Sequence, residues 1–319
     1  MNYSTRMAKT NQNELLNSKL LNQIAPLELK ARKIVEGFIS GLHKSPYYGF
    51  SVEFAEHRPY NHGDEIRHID WKVYGKSERY YIKQYEEETN LRCHILLDVS
   101  SSMLFKYYAD WSKLKYAIHM AASLAYLMHR QRDGVGLIPF DTRPITTIPP
   151  KSSYSHLRYM FKQLEQYLAE EQTKAPDQRK TASAEVIHEI AERINRRSLV
   201  IILSDLFENT SRQDELASAL KHLKHRKHEV ILFHLLEKRS ERELDLPDRR
   251  YIFQDLETGS EIDVLPRQVK QDYKEKMNTY VEEFKHMCGN AKIDFHQIDT
   301  ESSFEHSLIA YLNKRRRLM

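Results

Sequence analysis

Short apolar runs alternate with amphipathic stretches through the middle of the chain. The runs contain few polar residues, do not alternate between apolar and polar positions, and lie at 93–98, 135–141, 198–205 and 229–235. Strands that are buried on both faces have this pattern. The amphipathic stretches are each long enough for a crossover helix, and lie at 111–130, 182–196 and 213–225. The pattern predicts an α/β fold with a doubly wound, mostly parallel sheet and helices on both faces.

The regions on either side of this pattern predict smaller elements. Residues 1–45 are polar with apolar positions at helical spacing, and residues 46–90 are rich in aromatic, histidine and charged side chains. We interpret 1–45 as an N-terminal helical segment, 46–90 as an accessory segment of short strands and loops, and 91–319 as the α/β domain. Beyond the central pattern, the sequence predicts a hairpin, a helix, a strand and a last helix, at 251–264, 266–287, 292–298 and 303–314.

Composition and charge exclude several classes of protein. A chain of 319 residues and 37.9 kDa can bury one large core with a smaller lobe. Its 49 basic and 45 acidic side chains are too nearly balanced for the concentrated positive field that nucleic-acid binding needs. The start of the chain lacks the apolar core of a signal peptide, and the most apolar stretch, 117–128, is too short to span a membrane. We therefore expect a cytoplasmic protein without membrane insertion and without a nucleic-acid partner.

Two of the predicted buried strands end in an aspartate, Asp98 and Asp205. In an open parallel sheet, ligands bind at the carboxyl ends of the strands, where neighbouring loops converge. Asp98 is followed by Ser100 and Ser102, and alternate residues of an extended loop can face one point. A carboxylate and two hydroxyls are oxygen donors, which suit a hard cation such as Mg²⁺ rather than zinc.

The DVSSSM sequence, the apolar strand ending in SD and an intervening threonine resemble the metal-ion-dependent adhesion site of von Willebrand factor A domains. The resemblance implies that Ser100, Ser102 and Thr181 contact a Mg²⁺ or Mn²⁺ ion, and that Asp98 and Asp205 act mostly through water. Lys180 stands where that family usually has a glycine before the threonine. We interpret two further hydroxyl residues as helix-entry residues, namely Ser204 and Thr210.

A second signature lies upstream of the serine motif. It comprises Glu53-Phe54, Arg58-Pro59-Tyr60, Gly63-Asp64, Arg67 and Ile69-Asp70-Trp71. This block is similar to the bacterial domain-of-unknown-function family numbered fifty-eight, in its soluble form. The resemblance implies an association with MoxR-type AAA+ ATPases, for which such proteins act as adaptors, and other von Willebrand-domain proteins are further candidate partners. We also expect Trp71 to be a buried anchor of the segment.

Two alternatives to an adaptor remain open. The histidines and aspartates within 57–70 suggest a metal-dependent hydrolase, although their spacing matches no established ligand pattern; they are His57, His62, Asp64, His68 and Asp70. The second alternative is a structural domain with an empty metal site, since a serine after a strand can cap a helix and an aspartate can close a turn. The sequence favours a non-enzymatic interaction protein.

Overall fold

The computed structural model describes residues 27–41, 54–60, 69–85, 91–173, 183–206, 213–255, 259–305 and 307–308. The helices of these residues are α1 Leu27–Gly41, α2 Trp71–Ser77, α3 Lys113–Arg130, α4 Tyr154–Thr173, α5 Ser183–Arg193, α6 Gln213–His225 and α7 Pro266–Asn290. The strands are β1 Phe54–Pro59, β2 Tyr81–Tyr85, β3 Arg92–Asp98, β4 Gly134–Phe140, β5 Ile148–Lys151, β6 Leu199–Ser204, β7 Glu229–Leu236, β8 Tyr251–Gln254, β9 Glu261–Val264 and β10 Asp294–Asp299. A 3₁₀ turn, Ser101–Leu104, and a π-helical turn, Lys238–Arg242, complete the list.

Six strands form the central sheet in the order β10-β7-β6-β3-β4-β5. All neighbouring pairs are parallel except β4 and β5. From β3 the chain first winds outward through β4 and β5, and then returns to β6 and winds the other way through β7 to β10. The strand order therefore reverses between β3 and β6, which is the topological switch point of a doubly wound sheet. The predicted fold class is confirmed.

Helices cover both faces of the sheet, which explains why its strands are apolar without alternation. Ile95 and Leu97 of β3 lie in one buried cluster with α1, α3 and α4. Leu96, between them, lies in a second cluster on the other face, with α5, α6 and α7. Successive side chains of a strand point to opposite faces, so a strand between two helical layers must be apolar at every position.

The sequence analysis missed the edge strand β5 and the helix α4 of the α/β domain, and also the short helix α2 in the segment interpreted as strands and loops. The strand is only four residues long and contains Pro149 and Pro150. Proline lacks the N–H that a central strand needs, so this composition is tolerated only at a sheet edge. In α4 the buried residues Leu157, Met160, Phe161 and Leu164 have helical spacing, so the pattern was present in the sequence.

The accessory segment contains an antiparallel pair, β1 and β2, and the short helix α2. Asp70 caps that helix, since its carboxylate accepts hydrogen bonds from the backbone N–H groups of Lys72 and Val73 at 2.9 and 3.3 Å. The prediction that Trp71 is buried is wrong: its exposed fraction is 57%. The preceding residues, Ile69 and Asp70, are the buried ones, and Trp71 packs edge-to-face on Tyr74.

No helix among the described residues combines the length and the apolar character that crossing a bilayer requires.

Candidate metal-binding site

The carboxyl end of β3 brings Asp98 and two serines together. Asp98 accepts a hydrogen bond from the backbone N–H of Ser100 on Oδ1, at 2.9 Å. This bond folds the loop back over the end of the strand, and the hydroxyl of Ser100 lies 3.1 Å from that of Ser102. Asp98 and Ser100 have no exposed surface, whereas Ser102 is partly exposed. The hydroxyl pair therefore runs from the interior towards solvent.

The adjacent strand, β6, contributes to the same cluster. The hydroxyl of Ser204, the last residue of β6, donates to Oδ2 of Asp98 at 2.5 Å and accepts from the N–H of Leu206 at 2.9 Å. Ser204 is thus a partner of Asp98 at a strand end, and its interpretation as a helix-entry residue is wrong. Asp205 follows it and is fully buried. Both predicted strand-end aspartates lie at the switch point of the sheet.

A buried lysine, which the sequence analysis did not identify, contacts this cluster. The Nζ atom of Lys113, the first residue of α3, donates to Oδ2 of Asp205 at 2.7 Å and to Oε1 of Glu241 at 2.6 Å. Lysines are rarely fully buried unless they are paired. The only signal in the sequence is a lysine that begins a long apolar helix, where a solvent-exposed side chain is the ordinary expectation.

Burial controls the ionisation of these groups. It raises the pKa of Asp98 to about 7, and repulsion from Asp205 adds to the rise, against the hydrogen bonds from Ser100 and Ser204. Burial alone would lower the pKa of Lys113, but attraction to Asp205 and Glu241 outweighs it and raises that pKa. Burial also raises the pKa of Glu241, despite the opposing pull of Lys113. The cluster thus holds several acids around one ammonium group.

A glutamate at the end of β7 fixes the loop that follows the serines. Oε1 of Glu237 accepts hydrogen bonds from three consecutive backbone N–H groups, those of Tyr107, Tyr108 and Ala109, at 2.9, 2.8 and 2.6 Å. Its other oxygen, Oε2, accepts from the hydroxyl of Ser240. Hydrogen bonds to a charged acceptor are stronger than neutral ones. The loop after the serine motif is therefore tied to the end of β7, two strands away along the same edge of the sheet.

The donor set fits a hard cation. Adjacent ligands of an octahedral Mg²⁺ ion, each bound at 2.0–2.1 Å, are about 3 Å apart. The 3.1 Å between the hydroxyls of Ser100 and Ser102 has this size. Asp98 and Asp205 supply negative charge behind the hydroxyls, and no thiol or imidazole is required.

Several residues of the predicted sites lie outside the described residues. They include Thr181, Thr210, His62, Asp64 and His68, and the side chain of His57. Asp70, the described aspartate of the histidine-rich block, is engaged as a helix cap. Within the described parts of the chain, no group of three or more His, Cys, Asp or Glu side chains is placed to hold a metal. The hydroxyl-based cluster at the switch point is the candidate site that the structure assembles.

The doubly wound sheet, with hydroxyls and carboxylates at its switch point, agrees with the von Willebrand factor A-like fold class that the sequence predicted. The chain belongs to the family described as "Protein of unknown function DUF58", which matches residues 56–283. The predicted family is confirmed.

The relatives of the chain extend this similarity across most of its length. Uncharacterized proteins of Mycobacterium bovis and Mycobacterium tuberculosis are 24% identical over 242 residues, which is 76% of this chain and 72% of theirs. Among solved structures, the conserved hypothetical protein BatB from Bacteroides thetaiotaomicron aligns with 71% of this chain and 99% of its own, with 16% identity and a TM-score of 0.44. The SpRpn10 VWA domain aligns with 69% and 93%, with 12% identity and a TM-score of 0.37. The fold assignment rests on the strand order itself.

Proposed function

We propose that this chain is a non-enzymatic, cytoplasmic interaction protein that binds a partner protein through a divalent cation held at the switch point of its sheet. The observation that carries the proposal is the hydroxyl pair of Ser100 and Ser102, 3.1 Å apart and next to the buried Asp98, with the buried Asp205 after the end of the adjacent strand. Mg²⁺ or Mn²⁺ suits these oxygen donors. The resemblance to adhesion sites adds Thr181 as a third hydroxyl ligand.

The residues of the cluster have separate roles in this proposal. Ser100 and Ser102 present neutral hydroxyls, while Asp98 is held in place by Ser100 and Ser204 and supplies charge from behind. A divalent cation at this position would supply an electrophilic centre that a carboxylate of the partner can coordinate. Since hydroxyls are neutral, the chain's own ligands neutralise little of a cation's charge, which favours an acidic residue on the partner.

Metal binding is tested first, without any partner. A ligand that binds only the native state stabilises it, by about 2.7 kcal/mol at a hundredfold excess over Kd. We expect Mn²⁺ to raise the melting temperature of the wild type and to give a calorimetric binding curve, and Asp98→Ala and Ser100→Ala to abolish both. Asp141→Asn is the matched control, because this aspartate follows β4 and accepts instead from Thr142 and Arg143. If the wild type shows neither effect, the proposed cation site is wrong, and the alternative of a structural domain with an empty metal site is favoured.

The partner is tested second. The partner that the sequence resemblance implies is a MoxR-type AAA+ ATPase, with this chain as its adaptor. We expect a MoxR-type ATPase from the same organism to be retained by the immobilised wild type in Mg²⁺, and to be released by EDTA. Asp98→Ala should lose retention while keeping its circular dichroism spectrum. Equal retention by wild type and Asp98→Ala in both buffers would show that the cation site is not the recognition element.

A further inference from the structure

Lys113 places a permanent positive charge inside the candidate site. Its side chain is 1% exposed, and its ammonium group lies within 2.7 Å of Asp205 and 2.6 Å of Glu241. The ring of Phe105 covers it, with the ammonium nitrogen 5.5 Å from the ring centroid. Removing an ammonium group from water is costly, so this lysine persists only because the two carboxylates compensate for its burial.

The ammonium group of Lys113 and a divalent cation would both be stabilised by the same carboxylates. Asp98 and Asp205 repel each other, and Glu241 brings a third carboxyl group to the far side of Lys113. Without a metal, Lys113 is the counter-charge that keeps these acids together. With a metal beside Asp205, two positive charges would face one carboxylate, and their repulsion grows with the charge of the ion.

We infer that Lys113 determines the affinity and charge selectivity of the cation site: through Asp205 it stabilises the metal-free site and weakens the binding of divalent ions. The inference rests on the proposed function, since it concerns the same site. Lys113 is a positioning residue, because its ammonium group contacts the carboxylate behind the site and is closed off from solvent. The structure thus assigns the site a resident cation, supplied by the chain itself.

A purely structural ion pair makes a different prediction. If Lys113 only supported the fold, replacing it would destabilise the protein and would weaken Mn²⁺ binding or leave it unchanged. If Lys113 competes with the metal ion for the negative charge of the carboxylates, the same replacement lowers the stability of the metal-free protein and strengthens Mn²⁺ binding. A gain in Mn²⁺ affinity together with a loss of stability is therefore expected only from the second hypothesis.

The test is calorimetric titration of the full chain with Mn²⁺, using Lys113→Met, Glu241→Gln and Lys115→Met. We expect Lys113→Met to lower the Kd for Mn²⁺ about tenfold or more, with a lower melting temperature in EDTA and a larger rise on adding Mn²⁺. Glu241→Gln removes an acid that shares the ammonium group, so it should raise the Kd. Lys115→Met is the matched control. Lys115 is two residues after Lys113 in the same helix, but its ammonium group lies over the ring of Trp111.

Each outcome bears on one of the two proposals. If the wild type binds Mn²⁺ and Lys113→Met binds it equally or more weakly, the inference is overturned and the metal site stands. If no folded variant binds Mn²⁺, the metal site itself is wrong, and the inference fails with it. Should Lys113→Met fail to fold even with Mn²⁺, Glu241→Gln decides, because an unchanged or lower Kd in that variant contradicts a shared ammonium group.

Discussion

The Asp98 carboxyl group has no contact with solvent, and its pKa of about 7 lies far above the 3.8 of an ordinary aspartate. Burial is the main cause, with repulsion from Asp205 second. Ionisation of Asp98 at neutral pH therefore costs folding free energy that the metal-free protein has to supply. A residue kept at that cost at the end of a central strand is typical of a functional site.

This cost gives stability a definite pH dependence. Between the pKa of the unfolded chain, near 3.8, and that of the folded protein, about 7, the folded state binds a proton that the unfolded state has lost. The contribution of Asp98 is therefore largest below the unfolded pKa and is lost as pH rises through the folded pKa, by at most about 1.4 kcal/mol per pH unit. We expect Asp98→Asn to stabilise the metal-free protein at pH 7.5 and to have a smaller effect at pH 5.

Urea unfolding in EDTA at the two pH values measures this effect. Asp141→Asn is the control variant, since that aspartate lies outside the buried cluster. A destabilising effect of Asp98→Asn at pH 7.5 would contradict the raised pKa.

At the scale of elements, the edge of the sheet depends on one glycine. A Cβ atom on Gly136 of β4 would lie 2.4 Å from the carbonyl oxygen of Ile148 and 2.9 Å from the nitrogen of Pro150. Both atoms belong to the backbone of β5, which cannot move aside without breaking its pairing with β4. The close approach of β5 is therefore possible only because position 136 has no side chain.

We expect Gly136→Ala to lower the free energy of unfolding by about 2–3 kcal/mol, as overpacking does. Gly75→Ala is the control: a Cβ there meets nothing within 4 Å. Alanine is the better helix former by about 1 kcal/mol, so this variant in α2 should be neutral or more stable. Chemical denaturation of both variants measures the difference. Equal effects of the two substitutions would show that β5 does not constrain position 136.

At the scale of the whole molecule, helix α1 is part of the main core. Leu27, Ala31 and Val35 lie on one face of α1, and all three belong to the same buried cluster as Ile95 and Leu97 of the central strand. The prediction of a separate N-terminal segment, 1–45, remains a prediction, but the packing argues that α1 unfolds together with the sheet.

Val35→Ala should therefore lower the stability of the whole domain by about 2 kcal/mol, because it opens a cavity in the shared core. Leu29→Ala, on the opposite face of α1 with 54% exposure, should change it by less than about 0.5 kcal/mol. Thermal unfolding followed by circular dichroism and by tryptophan fluorescence should give one coincident transition. An early, separate transition of the helix would contradict this.

How much the sequence could predict depends on how far apart along the chain the interacting residues are. Strands buried on both faces have a local pattern, so β3, β4, β6 and β7 were predictable, and so were the positions of Asp98 and Asp205 at their ends. The partners of these aspartates were not: Lys113 and Asp205 are 92 positions apart, and Ser204 and Asp98 are 106 apart. Such pairs exist only once the sheet has formed. The prediction that Trp71 is buried was wrong for a related reason. A large aromatic side chain is buried only where another part of the chain covers it, and the local sequence does not show whether this happens.

The attachment of the Tyr107–Ala109 loop to Glu237 has a consequence for the kinetics of association. A loop with three satisfied N–H groups has already lost its conformational entropy during folding, so a partner that docks beside the serines would not have to order it. Rigid surfaces of this kind favour complexes that form without a slow rearrangement step. Association would then be limited by diffusion and by the orientation of the two proteins.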